Sequence, residues 1–217
     1  MKLYSTFPAH FVSYTPLITA KLCNSPVEQI YCPPDSELAK SEEMIARKGI
    51  WNFPLMETAD GKVFSQSVAV ATYIAREAGR TDLFGSNAFE EAQIDQFNCI
   101  SQASIFPLSY KIGLTTFGWI QDPAVHAAAV KDVKDVMQKL NKALDGKEYL
   151  VGGHLTLADI TVFVACFMTM ELALDAGFRK AMPHFSAWYE RITKVPEVVK
   201  VCGHLKLPAK GLKPASK

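Results

Sequence analysis

The residues best placed to bind a small ligand in this sequence are Gln66 and Ser67, which stand at the start of a predicted helix. Apolar residues follow at helical spacing, and Gly79 marks the helix end. The amide and hydroxyl of Ser67, with the positive end of the helix dipole, form a natural site for a carboxylate. The Gln66 side chain can join that site. The pair therefore predicts that an acidic group of a small molecule binds here.

Other chemistries lack their sequence signatures. The five histidines have no metal-ligand spacing, and the five cysteines form neither a C-x-x-C pair nor a zinc pattern. We find no P-loop, no Rossmann glycine run and no G-x-S-x-G motif, so nucleotide binding and serine hydrolysis are not expected. The formal net charge of +1 gives no basic footprint for nucleic acid. We therefore expect no metal and no direct nucleic-acid partner.

Composition bounds the protein class. The 217 residues suit one or two domains, and 49% hydrophobic with 21% charged residues is typical of a globular protein. The scattered cysteines are expected to be reduced and mostly buried thiols, as in cytosolic proteins. The N-terminus has neither the apolar region nor the cleavage site of a secretory signal. The apolar run from Ile160 to Leu174 is shorter than the roughly 20 residues of a membrane span, so no membrane association is expected.

Residues 1–79 predict a domain of strands and helices in the order β-α-β-α-β-β-α. The predicted elements are a strand at 2–5, a helix from Thr15-Pro16, a strand at 27–31, a polar helix from Asp35 or Ser36 to about Lys48, a hairpin with its turn at Asp60-Gly61, and a helix from 65 to 79. This is the element order of a thioredoxin-like domain. The first part of the chain therefore predicts an α/β fold.

The rest of the chain predicts helices alone. Residues 80–88 are polar and typical of a linker, and residues 89–205 predict an all-helical domain. Residues 206–217 mix Lys, Pro, Gly and Ala, which indicates a flexible tail or the start of a linker to a further domain. The expected architecture is thus α/β followed by all-α.

Two helices of the second domain have distinctive patterns. The helix that begins at Phe89 should kink or break at Pro107, which lacks an amide hydrogen. A second helix starts after Asp122-Pro123 and ends at Gly146. Its predicted buried stripe consists of Val125, Ala129, Val133, Val136, Leu140 and Leu144.

The helix that organises the second domain begins at Thr156. Thr156 and Asp159 predict a capping box, in which each side chain bonds the other residue's amide. Leu155 and Ile160 occupy the positions of a hydrophobic staple. The residues from Ile160 to Leu174 are apolar nearly all round, so this helix must be buried centrally.

This stretch carries a family resemblance. Leu150-Val151-Gly152 followed by Leu155-Thr156-Leu157-Ala158-Asp159-Ile160 resembles the LxGxxxTxADI signature of the C-terminal domain of cytosolic glutathione transferases. With Thr161-Val162, the Phe178–Pro183 string and Trp188, the chain most resembles the gamma-subunit family of translation elongation factor 1. The resemblance covers about residues 1–205 and implies a thioredoxin-like domain followed by an all-helical glutathione transferase domain.

The resemblance implies a site for a thiol peptide such as glutathione. In this fold a proline before a strand is expected to be cis, which turns the backbone N–H and C=O of Phe53 toward the ligand at Pro54. Gln66 and Ser67 match the pair that holds the γ-glutamyl end of glutathione in transferases. Two further residues are implied by comparison with transferases of the phi type. Lys40 stands at the position of a lysine that binds the glycine carboxylate of glutathione in those enzymes. Asn52 stands two residues before the proline, in place of their Gln. Ala39, before Lys40, replaces the His that they usually have.

Catalysis in transferases requires a donor that stabilises the thiolate, usually a hydroxyl just after the first strand. The phi-type register puts that position near Ala9 or His10, where no Ser stands. His10 and Ser13 are therefore the catalytic candidates, and Ser5 or Thr6 could serve if the loop is shifted. His10 also fits an ordinary loop or interface role. Tyr4 is expected to face the core of the fold and is not favoured.

The resemblance leaves three functional hypotheses. The first is a scaffold subunit of the elongation factor 1 nucleotide-exchange complex that holds the beta-type exchange subunit, with the chemistry done by partners. The second is a transferase that conjugates glutathione or a related thiol to electrophiles. The third is a transferase-like binding protein outside translation. All three predict a cytoplasmic protein without a resident cofactor, and the family implies a homodimer.

Overall fold

The computed structural model describes residues 1–6, 11–48 and 53–215. The chain divides into two compact units. The sheet unit comprises Met1–Leu83 with Lys200–Cys202, and the helical unit comprises Phe84–Val199 with Gly203–Lys217.

The described part of the sheet unit has the predicted element order. Its elements are β1 (Lys2–Ser5), α1 (Tyr14–Leu22), β2 (Glu28–Tyr31), α2 (Glu37–Lys40), α3 (Glu42–Lys48), β3 (Leu55–Glu57), β4 (Val63–Ser65) and α4 (Ser67–Glu77). The sheet order is β2-β1-β3-β4, with β1 parallel to β2 and antiparallel to β3. Strands β3 and β4 are antiparallel, and Gly61 in their turn has a φ of +79°, a backbone conformation that favours glycine.

Side-chain alternation along the central strands builds a core on each face of the sheet. Leu3 of β1 pairs with Met56 of β3, and both pack in one cluster with Val70 of α4. The next pair, Tyr4 and Leu55, belongs to a second cluster with Met44 of α3. Because neighbouring residues of a strand point to opposite faces, helices can cover both sides of so small a sheet. Tyr4 faces the core as predicted.

The polar segment predicted as one helix up to Lys48 forms two. Helix α2 ends before Ser41, whose ψ of 143° is extended. The Ser41 hydroxyl donates to the carbonyl of Leu38 (2.8 Å) and accepts from the amide of Met44 (3.2 Å). Ser41 therefore closes α2 and caps α3, a competition with the helix backbone that short hydroxyl side chains favour.

The helical unit follows from Phe84 onwards. Its described elements are α5 (Ala88–Ile100), a π-helical turn (Ser101–Ile105), α6 (Phe106–Thr116), α7 (Pro123–Ala143), α8 (Leu157–Leu172), α9 (Ala176–Lys180), α10 (Pro183–Thr193) and α11 (Pro196–Cys202), whose last three residues are grouped with the sheet unit. The helix predicted to kink or break at Pro107 changes from α5 to a π-helical turn and continues as α6, and Pro107 lies in the first turn of α6.

The buried stripe of α7 is rotated from the predicted one. Ala129, Val133, Leu140 and Leu144 are buried as expected. Val125 and Val136 are only half-buried, and His126 and Met137 are buried in their place. The His126 Nδ1 atom lies 2.7 Å from the Thr115 hydroxyl of α6, so this histidine enters the interior because it has a polar partner there.

Helix α8 is the centre of the helical unit, and its predicted capping box is present. The Asp159 carboxylate is wholly buried. Its Oδ2 atom accepts from the amide (2.9 Å) and hydroxyl (3.0 Å) of Thr156. Its Oδ1 atom accepts from the Leu150 amide (2.9 Å) and the Trp188 indole N–H (2.8 Å). Burial raises the pKa of Asp159, and these four donors oppose that rise because they favour the carboxylate.

The segment predicted as a flexible tail runs along the helical unit in the described residues up to Ala215. The amide of Leu212 donates to the carbonyl of Leu172 (2.6 Å), and that of Ala215 donates to the carbonyl of Thr115 (3.1 Å). The attachment of this segment could not be predicted from its composition, because its bonds are made by main-chain groups that every residue type shares apart from the missing N–H of proline.

Candidate thiol-peptide site

The candidate residues of the sheet unit converge on one edge of the sheet through strand register. Strands β1 and β2 are parallel, so their carboxyl ends, Ser5 and Tyr31, lie side by side. Leu55, the first residue of β3, pairs with Ser65, the last residue of β4. The start of β3 therefore lies beside the end of β4, at the same edge. This brings Phe53-Pro54 next to Gln66-Ser67, although eleven residues lie between the two pairs in sequence.

The amino end of α4 is open toward a ligand. Gln66 precedes the helix with a φ of +80° and makes no side-chain capping hydrogen bond. The first intrahelical bond is donated by the Val70 amide to the Gln66 carbonyl (2.9 Å), so the amides of the first turn have no intrahelical acceptor. A carboxylate would find N–H donors and the positive end of the helix dipole here.

Phe53-Pro54 and Gln66-Ser67 together form what we call the corner of the sheet. The conformation of Gln66 in this corner was not predicted from the sequence. A positive φ is uncommon outside glycine and costs about 1–3 kcal/mol when a neighbouring structure imposes it. The side chain of Gln66 is exposed, and Ser67 behind it is half-buried. No local signal exists for this conformation, because the residue type argues against it. A strained, exposed amide side chain at a helix start fits a ligand contact.

The proline side of the corner is as predicted. The Phe53–Pro54 peptide bond is cis, and Pro54 is buried while Phe53 is half-buried. Leu55 follows directly in β3 and is wholly buried. The position of Phe53 is therefore tied to the sheet by its neighbours.

The other implied binding residues are less well supported. Lys40 is exposed at the last position of α2, after the half-buried Ala39. Asn52 and His10 lie outside the described residues.

Two of the described hydroxyl candidates for thiolate stabilisation, Ser5 and Ser13, are enclosed. Ser13 precedes α1, is wholly buried, and its Oγ atom has no hydrogen-bond partner. Ser5 is also wholly buried, and its hydroxyl accepts from the Gln29 side chain (2.9 Å). Thr6 is half-buried. A thiol could use Ser13 only by approaching its oxygen to about 3 Å, the range of a hydrogen bond.

Tyr4 is excluded as a thiolate donor on electrostatic grounds. Its hydroxyl donates to the Glu57 carboxylate at 2.7 Å, at the opposite end of β3 from Pro54. Burial and that bond raise the pKa of Tyr4 to about 12. The same bond, with the charges of Arg47 and Lys2, lowers the pKa of Glu57. This cluster stabilises the sheet and takes no part in the candidate site.

Two further properties concern the described residues as a whole. Their His, Cys, Asp and Glu side chains gather nowhere in the groups of three or more that a metal ion would need. Their helices all fall short of the length and apolarity of a bilayer-crossing segment.

Comparison with known proteins identifies the relatives of this chain. The family model for the glutathione S-transferase C-terminal domain matches residues 99–196. Elongation factor 1-gamma from Artemia salina is 31% identical over 207 residues, which are 95% of this chain and 47% of that protein. A glutathione S-transferase-like protein from a Fusarium species is 30% identical over 170 residues, 76% of either chain. This chain therefore spans about half the length of its elongation factor relatives.

The fold has a close structural counterpart. The glutathione-transferase-like domain of elongation factor 1-gamma from Saccharomyces cerevisiae superposes with a TM-score of 0.83, covering 99% of this chain and 98% of that one. The sequence identity is 16%, so this likeness concerns the fold alone. It confirms the two-part architecture that the sequence predicts, a small sheet domain with helices joined to an all-helical domain.

Proposed function

Because the chain belongs to the glutathione S-transferase-like family, we propose that it is the transferase-like part of a gamma-type subunit of elongation factor 1 and acts as a scaffold. The observation that carries this proposal is the extent of the match. Elongation factor 1-gamma proteins from two animals are 30–31% identical over 95% of this chain. The proposed partner is the beta-type nucleotide-exchange subunit, in the cytoplasm, with the chain as a homodimer.

The chemistry of the sheet edge also favours a scaffold. A transferase needs a donor that lowers the pKa of a bound thiol. Of the described hydroxyl candidates, Ser5 at the end of β1 and Ser13 before α1 are wholly buried, and Thr6 is half-buried. Tyr4 has a raised pKa, opposite to the direction that an activating phenol needs. A scaffold needs none of these groups.

Direct binding tests the scaffold. The purified chain would be titrated with the purified beta-type exchange subunit in a calorimeter, and a glutathione transferase of the same fold would replace the chain as control. We expect a saturable complex with this chain and none with the control. Failure to bind at micromolar concentrations of both proteins would contradict the proposed partner. Light scattering of the free chain at the same concentrations reports the expected dimer mass.

One observation favours a second candidate function, the binding of glutathione or a related thiol without its conjugation to an electrophile. The amino end of α4, where Gln66 makes no side-chain capping bond, and the cis proline beside it support a half-site for the γ-glutamyl end of a thiol peptide. We propose that this half-site binds glutathione without accelerating its reaction. Binding can occur without catalysis, because binding needs only the corner with Gln66 and Ser67. Catalysis needs in addition a donor that stabilises the thiolate.

Calorimetric titration with glutathione tests this separation. The Ser67→Ala variant should bind at least about tenfold more weakly, since a hydrogen bond to a charged group contributes about 1.5–3 kcal/mol. Ser86→Ala, an exposed serine of the helical unit, is the control and should bind as the unaltered chain does. Absence of binding at millimolar glutathione would eliminate the thiol site.

An activity assay decides the catalytic question. Conjugation of glutathione to 1-chloro-2,4-dinitrobenzene would be followed for the unaltered chain and for His10→Ala and Ser13→Ala. We expect a rate equal to that of the uncatalysed reaction in all three. A higher rate that falls in either variant would establish the transferase and identify its donor.

A further inference from the structure

The segment 208–215, which we call the strap, is attached to the helical unit by main-chain hydrogen bonds along its length. The carbonyl of Ala209 accepts from the amide of Ala176 at 3.1 Å. The amides of Leu212 and Ala215 donate to the carbonyls of Leu172 and Thr115. The strap accepts the first of these bonds and donates the other two, and together they reach three parts of the unit: the start of α9, the end of α8 and the end of α6.

Two side chains of the helical unit complete the attachment. The Arg179 guanidinium donates to the carbonyl of Pro208 (2.8 Å) and to that of Leu174, so it joins the strap to the loop after α8. The His126 ring bonds the main chain of Leu212 and, through Nδ1, lies 2.7 Å from the Thr115 hydroxyl. These side chains contact main-chain atoms of the strap, so they fix the course of its backbone and do not select particular side chains.

Gly211 is the point of closest approach between the strap and the helices. A Cβ atom at this position would lie 2.5 Å from the carbonyl oxygen of Ala173, a distance that real Cβ atoms essentially never show. Because the obstacle is backbone, it cannot rotate away as a side chain would. The groove therefore accepts an extended chain only if a glycine stands at this place.

The strap is attached without much apolar burial. Leu212 is 48% exposed, and the side chains of Lys210 and Lys213 are exposed as well. Beside it, a cavity of about 550 Å³ remains between Gly211-Leu212 and α7, lined by Lys131 and Lys134 among others. Segments with few buried apolar contacts and solvent-exposed hydrogen bonds open locally at low free energy. The strap has the first of these properties, because none of residues 208–215 is buried, whereas α8 is buried along nearly its whole length.

We propose that residues 208–215 are a reversible strap that occupies a peptide-accepting groove on the helical unit and leaves it while the helices stay folded. Release leaves the carbonyls of Leu172 and Thr115 and the amide of Ala176 without their strap partners. An extended peptide with glycine at the Gly211 position can restore all three bonds. The ligand class of the groove is therefore an extended, glycine-containing peptide, with the strap as its intramolecular occupant.

Amide hydrogen exchange of the full chain tests the strap. We would compare the unaltered chain with Gly211→Ala and with Gly153→Ala, a glycine whose added Cβ would meet nothing within 4 Å. In the Gly211 variant the amides of Ala176, Leu212 and Ala215 should exchange at least about tenfold faster, because they lose their bonds together. The amide of Val164 in α8 should keep its rate. The Gly153 control should match the unaltered chain at all four amides.

Two results would overturn the proposal. Unchanged exchange at Leu212 and Ala215 in the Gly211 variant would mean that the close approach does not hold the strap. Faster exchange at Val164 as well would mean that the segment is an integral part of the fold. Limited proteolysis with trypsin, which can cleave the strap after Lys210, gives a second readout, with faster cleavage expected in the Gly211 variant alone.

A peptide added in trans tests the groove itself. A synthetic peptide of residues 206–215 would be added to the Gly211→Ala chain, and slow exchange at Ala176 should return as the peptide saturates the groove. The same peptide with Val in place of Gly211 is the control and should leave the exchange fast. No recovery with the first peptide, or equal recovery with both, would contradict the peptide-accepting groove.

Discussion

The two units each contain one carboxylate that gathers several partners, and the partners differ in kind. Asp159 of the helical unit is wholly buried and accepts from four uncharged donors. Glu57 of the sheet unit has a side chain that is 13% exposed, and it bonds the Tyr4 hydroxyl and the charged Arg47. The first carboxylate organises a water-free interior, and the second ties a small sheet together near solvent. Substitution of these two carboxylates should therefore lower the free energy of unfolding by different amounts.

The largest expected effect is that of Asp159→Ala. The change leaves the Leu150 and Thr156 amides and the Trp188 indole N–H buried without an acceptor, each at a cost of about 1–3 kcal/mol. We expect the helical unit to lose at least about 3 kcal/mol of its free energy of unfolding. Urea unfolding followed by circular dichroism at the helical band measures the loss.

Asp122→Ala is the matched control for that variant. Asp122 also accepts from amides at a helix start, those of Ala124 and Val125, but it is exposed. Loss of such a cap costs about 1 kcal/mol. Equal effects of the two substitutions would refute the comparison, because they would show that burial of the donors around Asp159 carries no extra cost.

The intermediate effect is expected for Glu57→Gln in the sheet unit. The amide can still accept from Tyr4, but it loses the charge that attracts Arg47 and Lys2. We expect the free energy of opening of the sheet to fall by about 1 kcal/mol at pH 7. Amide exchange in β1 measures it, and Glu28→Gln, an exposed residue of β2, should leave it unchanged.

The same carboxylate has a predictable pH dependence. The bond from Tyr4, with the charges of Arg47 and Lys2, lowers the pKa of Glu57 below its usual 4.5 in the folded chain. The unfolded chain then binds the proton first as the pH falls, so the stabilisation is fully present above about pH 4.5 and disappears through the folded pKa below it. The difference between the unaltered chain and Glu57→Gln should therefore shrink in acid. A constant difference down to pH 3 would contradict the lowered pKa.

The contrast between the units also explains which parts were predictable. The capping box of Thr156 and Asp159 is local, with only two residues between its members, and the sequence predicted it correctly. The fourth donor, Trp188, is 29 residues away and has no local signal. The sheet-edge corner was predicted through family resemblance. The positive φ of Gln66 was not, because nothing in the residue type predicts it.

Errors in the sequence analysis have a common physical origin. The break at Ser41 was missed because a serine inside a polar helix pattern is ambiguous between a solvent-facing residue and a cap. His126 was left out of the α7 stripe because its partner, the Thr115 hydroxyl, belongs to another helix. The tail was assigned by composition, whereas its attachment depends on main-chain bonds and on Gly211. The partners of His126 and of the tail are remote in sequence. The partners of Ser41 are nearby main-chain groups, which leave no trace in the pattern of residue types.

The smallest expected effect is that of breaking an exposed ion pair, and it serves as a reference for the effects of Asp159 and Glu57. Glu190 and Lys194 form an i,i+4 ion pair on α10 at 2.9 Å, with both side chains about two-thirds exposed or more. Water and salt screen such a pair, and ordering two long side chains costs conformational entropy, so its contribution should be the smallest of the three. Lys194→Ala should leave the urea midpoint of the helical unit nearly unchanged, and 1 M salt should abolish any remaining change. A loss as large as that expected for Glu57→Gln would place this exposed pair level with Glu57. The degree of burial would then no longer explain why the three carboxylates differ.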